Sequence, residues 1–260
     1  SRGLGDVYKR QANLKINDWF TVQARGTADY ISDRFEQQMW ASTSSVLTGG
    51  DWDLKTDNGR YAYSNRDEFM LYGDVMAMFN KTWNKISLNA VVGGSINSTK
   101  TNDLSMDSHL ASLYRPNVFT PTNIKYKDMA SLDGSAEFNS RNVMQSVFAT
   151  AQIGYADAVY LDLTARNDWS STLYGTKSLG SGFFYPSVGL SWLIHKSLKL
   201  PEWIDFAKVR GSFAEVGNSL PMFQANLYPT IGMGGNIIQV TDYNDGTLKP
   251  EISDSWEVGA

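Results

Sequence analysis

Cysteine is absent from the 260 residues, and histidine occurs only twice. The first absence excludes a disulfide scaffold and any cysteine-ligated metal site. The second leaves little room for imidazole chemistry. No run of about 18 apolar residues occurs, so no transmembrane helix is expected. Nor is there a surplus of positive charge. The 23 Lys and Arg against 27 Asp and Glu give a formal net charge of -4, and no basic stripe stands out, which argues against a nucleic-acid partner. Charged residues make up only 19% of the chain, whereas aromatics reach 13%, with 8 Trp and 13 Tyr. That balance suits a β-rich protein with much interfacial surface.

What is present is a side-chain period of two. In "YLDLTARNDW" (Tyr160 to Trp169) Leu161, Leu163 and Ala165 point one way, and Asp162, Thr164, Arg166 and Asp168 the other. A strand alternates its side chains between two faces, so one face here is apolar and the other charged. The pattern recurs. Phe20, Val22, Ala24, Gly26, Ala28 and Tyr30 oppose Thr21, Gln23, Arg25, Thr27 and Asp29. Phe69, Leu71, Val75, Ala77 and Phe79 oppose Asp74, and Ile86, Leu88, Ala90, Val92 and Ile96 oppose Ser87, Asn89, Ser95 and Asn97. Val143, Val147, Ala149, Ala151, Ile153 and Tyr155 form another apolar face, broken by Gln145, while Phe148 breaks its polar one. Val188, Leu190 and Trp192, then Val209, Gly211 and Phe213, give two more strands. A first strand from Ala12 to Ile16 and the start of a last one at Ser255 flank the set. The only helical turn expected is near Leu198 to Asp205.

The connections decide what can cover the apolar faces. Asn17-Asp18, Asn80 to Asn84 and Ala156-Asp157 read as short turns. Glu36 to Asn65, Thr99 to Ser140, Trp169 to Gly182 and Asn218 to Asp254 read as long segments. Long and short alternate, with the Ile194 to Asp205 link on the short side. Placing every long segment at one end is the habit of outer-membrane barrels, not of soluble sandwiches. Aromatics gather at both strand ends: Trp19, Phe79, Trp83, Tyr155, Trp192, Trp203 and Phe206 by the short turns, and Tyr30, Phe69, Trp169, Phe184, Tyr185 and Phe213 by the long segments. Two aromatic belts flanking an apolar band form an interfacial pattern. The fold expected is therefore all-β: an antiparallel up-and-down transmembrane β-barrel, incomplete, with about eight to nine strands of a larger barrel that form an open curved sheet in isolation. A soluble β-rich glycan-binding or adhesin module, its apolar faces covered by a second sheet, is the alternative that alternation alone leaves open.

Residues 1–11, "SRGLGDVYKRQ", have no periodicity and resemble a translated library-adapter sequence. They are expected to be foreign, with residues 12–260 forming a partial barrel domain.

Several ordered stretches resemble the barrel of SusC/RagA-type TonB-dependent outer-membrane transporters: "YLDLTARNDWSS" (Tyr160 to Ser171), "FFYPSVGLSW" (Phe183 to Trp192), "KVRGSFAEVGN" (Lys208 to Asn218) and "LKPEISDSWEVG" (Leu248 to Gly259). They span roughly the second half of the chain. The residues that carry the resemblance are Arg166, Asp168, Ser170 and Ser171, Pro186 of the next stretch, Gly217-Asn218, and Pro250-Glu251. The resemblance implies a barrel of about 22 strands with a plugged lumen. It implies import of oligosaccharides, peptides or other large nutrients across the outer membrane of a Gram-negative bacterium, with the long loops extracellular. It also implies energy from TonB through a plug absent from this chain, and a SusD-like surface lipoprotein as lid. Outer-membrane lipid is then a partner, and no cofactor, metal or enzymatic activity is implied.

No enzymatic motif competes. His109 falls in a long segment and His195 at a short link, so they cannot readily share one site. "GMGGN" (Gly232 to Asn236) does not join a strand to a helix. "DWDLKTDNG" (Asp51 to Gly59) and "DYNDG" (Asp242 to Gly246) lack the spacing of an EF-hand, and solvated turns account for them. An outer-membrane hydrolase would need an acid–base set that is missing. Candidate ligand-binding residues are the aromatics Trp40, Trp52, Tyr61, Tyr63, Tyr114 and Tyr174 of the long loops, suited to stacking on sugar rings or packing on a lid. Charges expected in the lumen, Arg25, Asp74, Arg166 and Arg210, either line the path or hold the wall.

Overall fold

The computed structural model describes residues 2–43, 58–108, 113–125, 135–201, 203–225, 230–231, 237–238 and 246–260. Its strands are β1 (Arg2–Asn17), β2 (Phe20–Met39), β3 (Arg60–Trp83), β4 (Ile86–Asp107), β5 (Ser135–Tyr155), β6 (Val159–Ser170), β7 (Phe183–Leu193), β8 (Lys208–Asn218), β9 (Thr230–Ile231), β10 (Ile237–Ile238) and β11 (Glu251–Gly259). Nine of them form one antiparallel sheet in the order β1-β2-β3-β4-β5-β6-β7-β8-β11, and β9 pairs only with β10. Each strand of the large sheet thus bonds to its neighbours along the chain, except that β11 follows β8. A sandwich would need crossings between two facing sheets. Among the described residues no such second sheet exists, and the sheet stays open, with β1 and β11 as its edges.

Register turns the alternation into two continuous surfaces. One row across the sheet runs Phe20, Phe79, Ala90, Ala151, Leu163, Val188, Phe213, Trp256. The adjacent row runs Thr21, Met78, Val91, Thr150, Thr164, Ser187, Ala214, Ser255 and faces the opposite way. The first surface is uncovered: Val75 is 57% exposed, Val147 53% and Leu190 52%. A one-residue slip would turn every apolar side chain to the other face, so the pattern itself fixes the register. Two tight turns, at Asn84 (φ 49) and at Ala156-Asp157 (φ 52 and 54), use left-handed backbone to match strand twist.

Three expectations are corrected. The segments Glu36 to Asn65 and Thr99 to Ser140 are not loops throughout. β2 continues to Met39, β3 starts at Arg60, β4 runs to Asp107 and β5 starts at Ser135. Above the apolar band both faces become polar, so the period fades from the sequence although backbone groups still find partners by pairing. Tyr61 and Tyr63 therefore stand on strand β3. The first strand begins at Arg2, not Ala12, and pairs as far as Arg34 of β2. The helix of the β7–β8 link is α2 (Ile194–Ser197), ahead of the expected span, where Pro201 O accepts from Ile204 N at 2.9 Å in a single turn; α1 (Ser178–Ser181) precedes it in the chain. Trp52, His109, "GMGGN" and most of the two Asp-rich stretches lie outside the described residues.

Candidate functional site

The polar face carries a row set by register: Arg25 of β2 beside Asp74 of β3, then Ser95, Ser146 and Asp168 on β4, β5 and β6. Asp74 has no exposed side-chain surface, and Arg25 covers it, with Nη2 2.9 Å from Oδ2. Arg25 Nε donates to both carboxylate oxygens at 3.1 and 3.0 Å. Farther along the row, Arg166 Nε donates to Asp168 Oδ1 at 2.7 Å and its Nη2 to Ser146 Oγ at 2.9 Å. Tyr185 of β7 donates its hydroxyl to the other oxygen, Oδ2, at 2.5 Å. Arg210 pairs with Glu257 of the edge strand. Arg25–Asp74 and Arg210–Glu257 join neighbouring strands, whereas Arg166 and Asp168 pair along β6 and reach β5 and β7 through Ser146 and Tyr185, so the first effect of these charges is to hold the strands together. Asp29 Oδ1 and Asn97 Oδ1, on the same face, are buried acceptors without a partner among the described residues.

The family-like motif residues have distinct mechanical tasks. Ser170 caps a short 3-10 turn by accepting from Thr172 N at 3.3 Å, and Thr172 Oγ1 meets Ser219 Oγ at 2.6 Å. Ser171 Oγ donates to Asn142 Oδ1 and accepts from Val143 N, both at 2.9 Å. The turn is thereby tied to β5 on one side and to the end of β8 on the other. Pro186 has no N–H, and the β7–β8 ladder stops at Ser187 paired with Ala214. Beyond that point Phe183 and Tyr185 stack with ring centroids 5.9 Å apart. A Cβ on Gly217 would come within 2.5 Å of the Phe183 ring and 3.0 Å of the Tyr185 ring, so only glycine fits beneath them. Asn218 is the last residue of β8 and pairs with Glu251, which opens β11 directly after Pro250.

At the long-segment end the expected aromatics divide. Tyr61 is only 5% exposed and forms a small core with Leu113 and Ile124, against which Tyr63, Met106 and Phe119 pack. Trp40 meets the Phe119 ring edge-on at 5.6 Å. Residues 113–125 are laced over this core: Asn58 Nδ2 donates to Leu113 O, Ala41 N to Asn117 Oδ1, and Asn123 Nδ2 to Arg115 O and Val118 O. Arg60 adds a two-pronged bond to Asp107, at 2.9 and 2.6 Å. Burial and the nearby Glu36 carboxylate both push the Tyr61 phenol above its ordinary pKa. Tyr63 lies under the Arg34 guanidinium at 5.2 Å. Tyr114 and Tyr174, 55% and 62% exposed, keep open faces. Sequence reading grouped these aromatics together, because nothing in one dimension separates a buried Tyr61 from an exposed Tyr174.

Among the described residues no group of three or more His, Cys, Asp or Glu could hold a metal ion. His195 sits against Phe206 at 4.8 Å, with Nδ1 3.1 Å from Ala207 O, far in the topology from the charged row. The arrangement can bind, line and seal.

Comparison with known proteins gives one family and one fold. The family model described as "TonB dependent receptor-like, beta-barrel" matches residues 2–260. No curated protein matches the sequence significantly. Among solved structures, the RagAB peptide importer in its open-open state is similar over 99% of this chain and 28% of that one, with a TM-score of 0.73 at 16% identity. The RagAB peptide transporter aligns over 98% of this chain and 28% of that one, with a TM-score of 0.72 at 16% identity. The siderophore receptor PiuA from Acinetobacter baumannii aligns over 99% of this chain and 37% of its own, with a TM-score of 0.57 at 9% identity. The chain thus spans between a quarter and two fifths of the length of these transporters and receptors.

Proposed function

From the premise that this chain belongs to the TonB-dependent receptor-like β-barrel family, we propose that it forms part of the wall of an outer-membrane importer of oligosaccharides, peptides or other large nutrients. The apolar surface meets outer-membrane lipid, the polar surface lines the lumen, and the long segments are extracellular in a Gram-negative envelope. The whole importer draws energy from TonB through a plug and works with a SusD-like surface lipoprotein. It is a transporter without catalytic chemistry or cofactor.

The observation that carries this reading is the continuous apolar row from Phe20 to Trp256, left uncovered by any described element. Lipid is the solvent that makes such a surface favourable, and a sheet of neighbour-paired strands satisfies its backbone groups within the bilayer. Within the importer, Arg25, Asp74, Arg166 and Arg210 serve first as wall locks. Asp29 and Asn97 keep buried acceptors on the lumen face that have no partner among the described residues. Trp40, Tyr114 and Tyr174, with Trp52 by sequence, are the rim aromatics proposed to contact substrate or lid, while Tyr61 and Tyr63 hold the rim together.

We also infer that residues 1–11 are foreign to the barrel. Arg10 lies opposite Gly26 and so sits on the apolar surface well inside the band. A charge there costs about 2–4 kcal/mol at the midplane. Reading the genomic sequence of this strand tests it, and an Arg at the same place in the native gene refutes it.

The main test is Leu163→Cys in the assembled full-length protein, probed with a lipid-phase label and then with a water-soluble thiol reagent. Lipid-phase labelling with protection from the aqueous reagent is expected. Absence of lipid-phase labelling in a correctly assembled protein means that protein covers this face, and the reading fails.

A further inference from the structure

Lys81 is out of place for a membrane-facing strand. It lies on the same surface of β3 as Phe79, Ala77 and Val75, paired with Leu88 of β4, two residues before the strand ends at Trp83. Its ammonium Nζ stands over two indoles, 5.2 Å from the Trp19 ring centroid and 5.4 Å from that of Trp83. Trp19 in turn stacks on Phe79 at 6.2 Å, and Phe79 on Phe20 at 4.7 Å. The cation is therefore held by a built aromatic platform at the short-turn edge of the apolar band, not trailing into solvent.

Nothing among the described residues neutralises it. Asp18, in the turn that leads into Trp19, is engaged by Lys15 at 2.7 Å. The indole N–H groups of Trp19 and Trp83 also lack an acceptor among the described residues. Elsewhere the protein does supply one: Trp169 Nε1 donates to Gly180 O and Trp192 Nε1 to Ser197 Oγ. Both indoles at Lys81 remain open, at 41% and 48% exposure. One ammonium and two indole donors thus share a lipid-side rim with no anion to receive them.

We propose that this cluster is a binding site for the phosphodiester headgroup of an anionic phospholipid. A phosphodiester brings what the site lacks: negative charge for Lys81 and acceptor oxygens for the indoles. Cation–π contact orients the ammonium but leaves its charge uncompensated at a low-dielectric boundary, where a counter-anion is worth more than in water. The acyl chains of the same molecule continue along Phe79, Ala77 and Val75, the apolar surface on which the site borders. That continuity selects a lipid over free phosphate. The proposal rests on the reading that this surface meets the bilayer.

The experiment uses the full-length protein in detergent, offered phosphatidylglycerol and phosphatidylcholine in equal amounts, with retained lipid counted by native mass spectrometry. Wild type is expected to retain phosphatidylglycerol preferentially, and Lys81→Met to lose about fivefold of that preference, the size expected for one basic residue at an anionic surface. Lys81→Arg should keep it. Trp83→Phe, which keeps a ring but removes the N–H, should lose part of it, and it serves as the second probe if Lys81→Met assembles poorly. Equal retention by wild type, Lys81→Met and Trp83→Phe overturns the site. Displacement of the lipid by millimolar inorganic phosphate also overturns it, as a free-anion site. Val75→Cys with a lipid-phase label separates the two levels. Labelling without Lys81-dependent retention defeats only this site, whereas no labelling in assembled protein defeats the bilayer reading beneath it.

Discussion

Adjacent residues on β6 face different solvents, and that difference is measurable. Leu163 belongs to the apolar row and Thr164 to the polar one. Leu163→Arg is expected to cost about 2–4 kcal/mol near the midplane, whereas Thr164→Arg, beside a lumen that already holds Arg166, should cost far less. Urea unfolding of the full-length protein in liposomes checks this, and equal losses for the two variants contradict the assignment. Gly217 gives a steric counterpart. Gly217→Val drives a branched side chain into the Phe183 and Tyr185 rings, with an overpacking cost of about 1–3 kcal/mol. Tyr185→Ala in the same chain should recover part of that cost. Above the band, the Asp67 carboxylate is held below its ordinary pKa by hydrogen bonds from Ser32, then Tyr30 and Asn65. A depressed folded-state value means stability that is present above the unfolded pKa and lost as pH falls through the folded one. Carboxyl NMR should show Asp67 titrating below 3.8 in the wild type and moving back toward 3.8 in Ser32→Ala/Tyr30→Phe. Unchanged titration in that double variant removes the assigned cause.

Strands β2 to β5, at 20 to 24 residues, are longer than a bilayer requires, and the outer parts of β3 and β4 have their own stabilisation. β3 and β4 pair from Trp83 with Ile86 up to Ala62 with Asp107, whereas about 9–11 tilted residues cross a membrane. The surplus is held by the Tyr61–Leu113–Ile124 core and the Arg60–Asp107 fork. Leu113 is fully buried there. Leu113→Ala is therefore expected to cost about 2–5 kcal/mol locally. Limited proteolysis should cut within residues 113–125 faster in the variant, while the heat resistance of the barrel stays near wild type. Loss of barrel heat resistance to the same degree would show that the extension and the membrane wall form one cooperative unit. The sequence showed the apolar bands of these strands clearly, since lipid enforces strict alternation there. It hid the extensions, where water borders both faces and period-two selection relaxes.

The described residues form a sheet in which β1 and β11 are unpaired edges, with one broad apolar surface. Open edges offer unmade backbone hydrogen bonds, and an uncovered apolar surface of this extent drives association in water. Expressed alone, the chain is expected to aggregate without detergent and to transport nothing, since an open wall encloses no lumen. Light scattering after refolding with and without detergent checks this. A monodisperse, water-soluble monomer would count against the membrane reading of the whole sheet.

The sequence by itself determined which residues face together, because a period of two admits only two assignments and charge distinguishes them. It also determined the meander, through alternating short and long connections, and the family, through the ordered motifs from Arg166 to Glu251. Only the tertiary structure decided which polar residues meet. Arg25 and Asp74 are neighbours, as are Asp168 and Tyr185, because register brings distant positions side by side. It alone separated the enclosed Tyr61 from the open Tyr174, and it alone set Lys81 between Trp19 and Trp83. Cross-strand contact depends on where each turn sets the register and on which elements fold over which. That information resides in the paired backbone, not in any local stretch of the chain.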